Sequence, residues 1–220
     1  MGRKDLYNGE YAAKWIDYET RHQDVYREKF ILPHLKFALK TNNFGTDILD
    51  VGCGWGAALE FISESCRYTG IDPTPEFFNY IKNKKHHKNI CLLNGNLPNL
   101  PVKDNSFDIV LCCMVLHCVP DFKSSIDSVI SKTKNGGKVI IVDFKESAEQ
   151  DLRKLFREIT VTKPNYIKGL YDLSSDIKLY GEIFFRKEKE FEKRLTRRGQ
   201  INKKYLGPLF VGYELIKKSA

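Results

Sequence analysis

The stretch I-L-D-V-G-C-G-W-G at residues 48–56 constrains this chain more than any other. Ile48, Leu49 and Val51 make residues 47–51 read as a strand buried on both faces, as strands of parallel sheets are. Glycines follow at 52, 54 and 56, and then a helical stretch over 57–66. Glycine lets a backbone take positive φ and come close to a ligand. A helix beginning just beyond offers unbonded N–H groups to an anion. By itself the motif leaves several readings open. Gly52-x-Gly54-x-x-Ala57, with Asp72 about 20 residues further on, also satisfies the dinucleotide-binding fingerprint. A glycine turn that holds no ligand is a third reading.

The same alternation continues along the chain. Residues 68–71, 90–93, 108–113 and 138–144 read as strands. Helices are expected from Thr74 or Pro75 through Ile81 and over 122–133, and Gly136-Gly137 as a turn. Strands alternating with helices specify a parallel sheet covered on both faces, whose ligands sit at the carboxyl ends of the strands. Before this core, Tyr7, Tyr11, Trp15, Tyr18, His22 and Tyr26 recur at helical spacing, and Pro33 opens or interrupts a second helix through Leu35, Phe37 and Leu39. After it, a helix is expected over 149–159, a strand over 176–185 and a final strand over 209–216. One domain, 1–220, follows: a helical cap at 1–44, a cofactor-binding core at 45–145, and substrate-side elements with the last strands at 146–220.

Composition excludes several classes. With 42% hydrophobic and 12% aromatic residues the chain can build a core. Its longest apolar run, 109–117, is far short of the ~20 residues that span a bilayer. Met1–Asp5 shows no apolar leader, so a membrane role is not expected and a cytoplasmic location is. None of the six cysteines forms a C-x-x-C pair. Cys112 and Cys113, adjacent on a strand, point to opposite faces, so no metal site is expected. The net charge of +8 is concentrated: residues 186–204 hold nine basic and three acidic side chains. Glu188, Glu190 and Glu192 interleave with the bases, which predicts a solvated helix laced with internal ion pairs. Lys82, Lys84, Lys85, His86, His87 and Lys88 form a second basic patch.

Asp50 separates the readings of the glycine loop. A carboxylate just before the glycines would repel a pyrophosphate and attract a cation. S-adenosylmethionine carries a sulfonium, an ammonium and no phosphate. D-V-G-C-G-W-G at 50–56, T-G-I-D-P-T at 69–74, L-P-V-K-D-N-S-F-D-I-V at 100–110, V-L-H at 115–117 and K-N-G-G-K-V-I-I-V-D at 134–143 come in order. Together they resemble the class I S-adenosylmethionine-dependent methyltransferases of the small generalist type, over residues 45–145.

That resemblance implies an α/β fold: a Rossmann-like, doubly wound, mostly parallel seven-stranded sheet with flanking helices and an N-terminal helical cap. It implies that Asp50 and the backbone of Gly52, Cys53 and Gly54 hold the methionine end of the cofactor. Asp72 would accept both ribose hydroxyls, and Pro73 would pack beside the adenine. The family usually has an acid after the third strand, where this chain has Asn96; the Leu97 amide would meet a ring nitrogen and the Cys113 backbone the ammonium. His117 of V-L-H is a packing residue beneath the cofactor in this reading, or else a general base. Tyr11, Trp15 and Tyr18 form either a core-facing stripe or a lid over the site, where aromatic faces suit a sulfonium. The acceptor is expected to be a small molecule. The alternatives are an RNA, with tRNA modification using residues 186–204, and a non-catalytic cofactor-binding partner subunit; an NAD-dependent oxidoreductase is a third class.

Overall fold

The apolar runs after residue 45 become strands, and the crossovers between them set the topology. The computed structural model describes residues 12, 13, 16, 27–40, 45–82, 89–148, 150, 151 and 184–219. Within these lie β1 (Asp47–Val51), β2 (Arg67–Asp72), β3 (Ile90–Asn94), β4 (Phe107–Cys113), β5 (Thr133–Phe144), β6 (Gly199–Leu206) and β7 (Phe210–Lys217). They form one sheet in the order β3-β2-β1-β4-β5-β7-β6. The first five strands are parallel, while β7 runs antiparallel to β5 and β6 antiparallel to β7. This is the expected Rossmann-like, doubly wound, mostly parallel seven-stranded sheet. Its order reverses between β1 and β4, so a crevice opens at the carboxyl ends of those two strands.

Alternation along each strand builds two layers. Ile48, Ile109, Leu111, Ile140 and Val142 face one layer, with Ile31, Leu35 and Leu39 around α1 (Leu32–Ala38) and Phe78 and Ile81 of α2 (Phe77–Lys82). Leu49, Val51, Val110, Cys112, Val139 and Ile141 face the other, with α3 (Phe122–Lys132) and α4 (Glu188–Leu195). Asp121 caps α3, its side chain accepting the Ser124 amide at 3.1 Å. Cys112 and Cys113 lie in opposite layers, as a strand requires.

Three expectations need correction. The helix expected over 57–66 is a single 3₁₀ turn, Ala57–Phe61. Ser63 and Ser65 end it: their hydroxyls bond each other at 2.9 Å and the Ser65 amide turns to Ser63 Oγ, which competes with helix hydrogen bonds. Gly136-Gly137 does not precede the fifth strand but lies inside it. The β4–β5 pairing jumps from Phe107↔Thr133 to Ile109↔Lys138, and the glycines sit in that bulge.

Residues 186–204 are not one solvated helix. They are α4 followed by β6, because Phe191 and Leu195 give the helix a buried face. The ion pairs run between elements instead of along the helix. Lys203 of β6 pairs with Glu188 and with Glu192, and Arg194 pairs with Asp127 of α3. The stripe Tyr11, Trp15 and Tyr18, the patch Lys84–Lys88 and most of the segments expected at 149–159 and 176–185 lie outside the described residues. Of those two segments, Gln150 and Asp151 are helical, and Phe184 and Phe185 are irregular.

Phe191 is fully buried, with its ring 4.8 Å from Phe122 and 5.1 Å from Tyr213, whereas Phe37 is 74% exposed. Urea unfolding should show Phe191→Ala losing about 3–5 kcal/mol. Phe37→Ala should stay within ~0.5 kcal/mol of the parent.

Candidate functional site

The carboxyl ends of β2, β1 and β4 stand side by side, and each delivers a residue to one edge. Asp50 of β1 lies in register with Gly70 and Leu111 and is only 3% exposed. Its Oδ2 accepts the Tyr68 hydroxyl at 2.8 Å. Burial pushes the Asp50 carboxyl up; the Tyr68 hydrogen bond and Arg27 pull it down, Asp72 adds to the rise, and it settles at about 7. Asp72, at the end of β2, is also buried. Burial raises its pKa, while the Thr74 amide on Oδ1 at 2.9 Å and the Gly54 amide on Oδ2 at 2.8 Å work the other way. The Thr74 hydroxyl bonds this carboxylate as well, and the capacity left on its two oxygens is what a pair of hydroxyls would use.

Between the two acids runs the glycine loop. Gly52 has a φ of +71° and its Cβ would stand 2.4 Å from Val115 Cγ2, so no side chain fits. Gly54 has a φ of +50° and its Cβ would meet nothing within 4 Å: the space above it is open. The amides are already engaged. Gly52 and Cys53 both donate to the Ile71 carbonyl, at 2.7 and 3.1 Å, and Gly54 donates to Asp72 at 2.8 Å. A ligand in this crevice therefore meets acceptors and carboxylates, and it must bring donors or positive charge. A pyrophosphate does not fit, and the short 3₁₀ turn after the loop is no substitute for a full helix N-terminus. An ammonium, a sulfonium and ribose hydroxyls do fit. Cys53 turns its side chain into the core, where burial raises its thiol pKa, so only its backbone faces the crevice.

The remaining expected residues frame the same edge. Asn94 holds the carbonyls of Asp72 and Pro73 with its side-chain amide, and the Gly95 amide donates to the Asp72 carbonyl at 3.2 Å. These bonds lash the loop carrying Asn96 and Leu97 to the end of β2. Pro73 and Asn96 are exposed and Leu97 is half-buried. Cys113 ends β4, and Met114 after it takes a φ of +58° while donating its amide to Val142.

His117 sits in the turn after β4. Its Nδ1 is 2.8 Å from Asp143 Oδ1, and its own amide donates to Asp143 Oδ2 at 3.1 Å. Burial disfavours charge on this ring, but Asp143 and Cys118 outweigh it and raise the pKa to about 10. The raised pKa favours the imidazolium, which has no lone pair to take a proton. That favours the packing reading over the general base.

Sequence reasoning assigned no role to Tyr68, Asp143 or Arg27. A tyrosine two residues before the glycine of T-G-I-D and an acid closing I-I-V-D were visible. Their partners, however, are set by strand neighbours distant in sequence. Arg27, in the turn before α1, lies over the Trp55 ring at 5.3 Å.

An open doubly wound sheet with acids ending β1 and β2 and an acceptor-rich glycine loop between them defines a Rossmann-like protein for a cationic nucleoside cofactor. Residues 49–141 match the family described as "Methyltransferase domain". The match is consistent with a class I S-adenosylmethionine-dependent methyltransferase.

Among relatives, the chain is 30% identical to the demethylmenaquinone methyltransferase of Staphylococcus epidermidis over 164 residues, covering 71% of this chain and 63% of that one. It is 28% identical to phthiotriol/phenolphthiotriol dimycocerosates methyltransferase 1 of Mycobacterium ulcerans over 108 residues, 48% of this chain and 40% of the relative. The chain thus spans between 40% and 63% of the length of these relatives. In fold it is similar to DhpI in complex with SAH, with a TM-score of 0.68, 19% identity and coverage of 100% and 98%. It is also similar to a SAM-dependent methyltransferase of Aquifex aeolicus, with a TM-score of 0.60, 19% identity and coverage of 91% and 97%.

The imidazolium–Asp143 pair stabilises the fold fully below about pH 6.5. That contribution is lost as pH rises through about 10. His117→Asn leaves Asp143 without its counter-charge and should lower stability at pH 7 by about 3 kcal/mol. The gap to the parent should narrow toward the alkaline limit in denaturant titrations across pH. Equal stabilities at pH 7 would show that the pair is not formed.

Proposed function

We propose that this chain transfers a methyl group from S-adenosylmethionine to a small, apolar acceptor. The observation that carries the cofactor half is the acceptor-rich crevice: Asp50, Asp72 and the clear space over Gly54, with the loop amides already bonded inside the chain. Asp50 holds the ammonium, Asp72 the ribose hydroxyls, and the loop with Asn96 and Leu97 the adenine beside Pro73. When bound, the cofactor supplies an activated methyl on a sulfonium, whose departure needs no proton. What the chain contributes is alignment of the acceptor and exclusion of water. His117 serves as a fixed cation in the wall of the site, tied to Asp143.

The acceptor half rests on the end of β5. The Phe144 ring lies 5.6 Å from Phe185, 5.4 Å from Phe210 and 4.9 Å from His117, an aromatic cluster at the carboxyl edge of the sheet. It suits a ring or lipid more than a polyanion. The relatives named above, a menaquinone and a phthiotriol enzyme, support the same class. The basic segment supports it too: Lys203 and Arg194 are in ion pairs, and Arg186 donates to the Val119 carbonyl at 2.6 Å. Residues 1–44 and 146–220 are the parts that would shape the acceptor side.

Among the described residues no helix is long and apolar enough to cross a membrane. The six cysteines are free, which fits a reducing, cytoplasmic setting.

Incubation of the isolated chain with methyl-labelled cofactor and a cell extract tests the reading. Label should enter the organic-soluble fraction. Label confined to acid-precipitated nucleic acid would establish the RNA alternative, and none in any fraction would indicate a partner subunit without turnover. In thermal melts, S-adenosylhomocysteine at 100 times its dissociation constant should stabilise the chain by about 2.7 kcal/mol. NAD should give no shift; the opposite pattern would overturn the cofactor assignment.

A further inference from the structure

Tyr68 is among the largest fully buried side chains of the described residues; its hydroxyl donates to Asp50 Oδ2 at 2.8 Å and also meets the Cys53 thiol. It stands on β2 two residues before Gly70, so the two positions share a sheet face. Gly70 lies directly across from Asp50 in the β1–β2 register. A Cβ at Gly70 would stand 2.9 Å from Cys53 Sγ, 3.0 Å from Tyr68 Cε1 and 3.0 Å from Leu92 Cδ2. The missing side chain is the slot through which the Tyr68 ring runs along the sheet to reach Asp50. Phenylalanine would fill the same volume, so packing alone does not call for the hydroxyl.

We propose that Tyr68 is a positioning residue for the cofactor, its hydroxyl aiming the Asp50 carboxylate at the ammonium end, and that Gly70 is the glycine that admits it. The inference rests on Asp50 being the ammonium ligand. The groups facing Asp50 are Tyr68 and Asp72 of β2, Cys53 of the loop, Cys113 of β4 and Arg27 before α1, while Cys112, in the opposite layer, feels its charge through the sheet. Burial raises the three thiols, which stay neutral near pH 7. The charge on Asp50 is thus governed by burial, Tyr68, Asp72 and Arg27. With the Tyr68 bond in place the carboxyl already titrates at about 7, so removing that bond must raise it further.

The test is calorimetric binding between about pH 5.5 and 8, with S-adenosylhomocysteine as probe and 5′-methylthioadenosine, which lacks the amino-acid end, as reference. Tyr68→Phe should bind S-adenosylhomocysteine about tenfold more weakly at pH 7. Its pH midpoint should rise by roughly one unit. Methylthioadenosine affinity should not change. Asp50→Asn should weaken S-adenosylhomocysteine binding, and adding Tyr68→Phe to it should cost nothing more, because the hydroxyl acts through the carboxylate. Gly70→Ala, which displaces the ring, should reproduce the Tyr68→Phe pattern.

Parental affinity and pH profile in Tyr68→Phe would overturn the proposal. So would additive losses in the double variant, or equal losses for both ligands. If Asp50→Asn leaves S-adenosylhomocysteine binding unchanged, the ammonium assignment itself fails, and this inference with it.

Discussion

Two carboxylates are held almost entirely out of water at the ends of neighbouring strands, and the site depends on how that charge is tolerated. Burying an ionised carboxylate is costly, and a second one nearby makes it worse. The chain offsets the cost with directed hydrogen bonds: Tyr68 to Asp50, and the amides of Gly54 and Thr74 to Asp72. On the proposed reading, a bound cation completes what these bonds begin. The glycine loop is arranged around the same need. Its amides are turned inward to Ile71 and Asp72, so nothing on its surface competes with a positive ligand.

The opposite edge of the sheet shows the same residue type under different rules. Asp47, three positions before Asp50, accepts Arg67 at 2.5 and 2.8 Å and Lys134 at 3.1 Å. Lys134 also reaches Asp108 at 2.9 Å, and Asp108 takes the Asp47 amide at 2.8 Å. The Arg67 hydrogen bond lowers the Asp47 pKa below the usual carboxylate value, whereas burial raises that of Asp50. One edge is a closed network of paired, solvent-facing charges. The other keeps its acids buried and open to a guest, at the carboxyl ends of β1 and β4 where the crevice opens.

The strands were legible because each apolar run had the right length and the glycines marked their ends. Asp50 and Asp72 were legible because both abut turns whose chemistry allows few ligands. What escaped depended on contacts between distant residues. The 3₁₀ turn after Gly56 looked like a helix from its apolar spacing, but Ser63 and Ser65 claim the backbone. The basic segment looked solvated from its charge alternation. Phe191 and Leu195 bury one side of its helix, and its last residues join the sheet edge through β7. Tyr68 read as an ordinary strand aromatic, since nothing in β2 alone says that Gly70 opens a path to the next strand.

His117 connects the edge that carries Asp50 and Asp72 to the aromatic cluster around Phe144. Asp143 of β5 holds both its ring and its amide, and the His117 carbonyl accepts the Phe184 amide at 2.8 Å. The chain returning at Phe184 is therefore anchored to the turn after β4 by the same residue that β5 grips. Phe144, next to Asp143, packs against His117 on one side and Phe185 on another. A change at His117 would loosen this aromatic wall while leaving Asp50, Asp72 and the glycine loop in place. On the proposed reading, its first consequence belongs to the position of the acceptor, and only a larger disturbance would reach the cofactor.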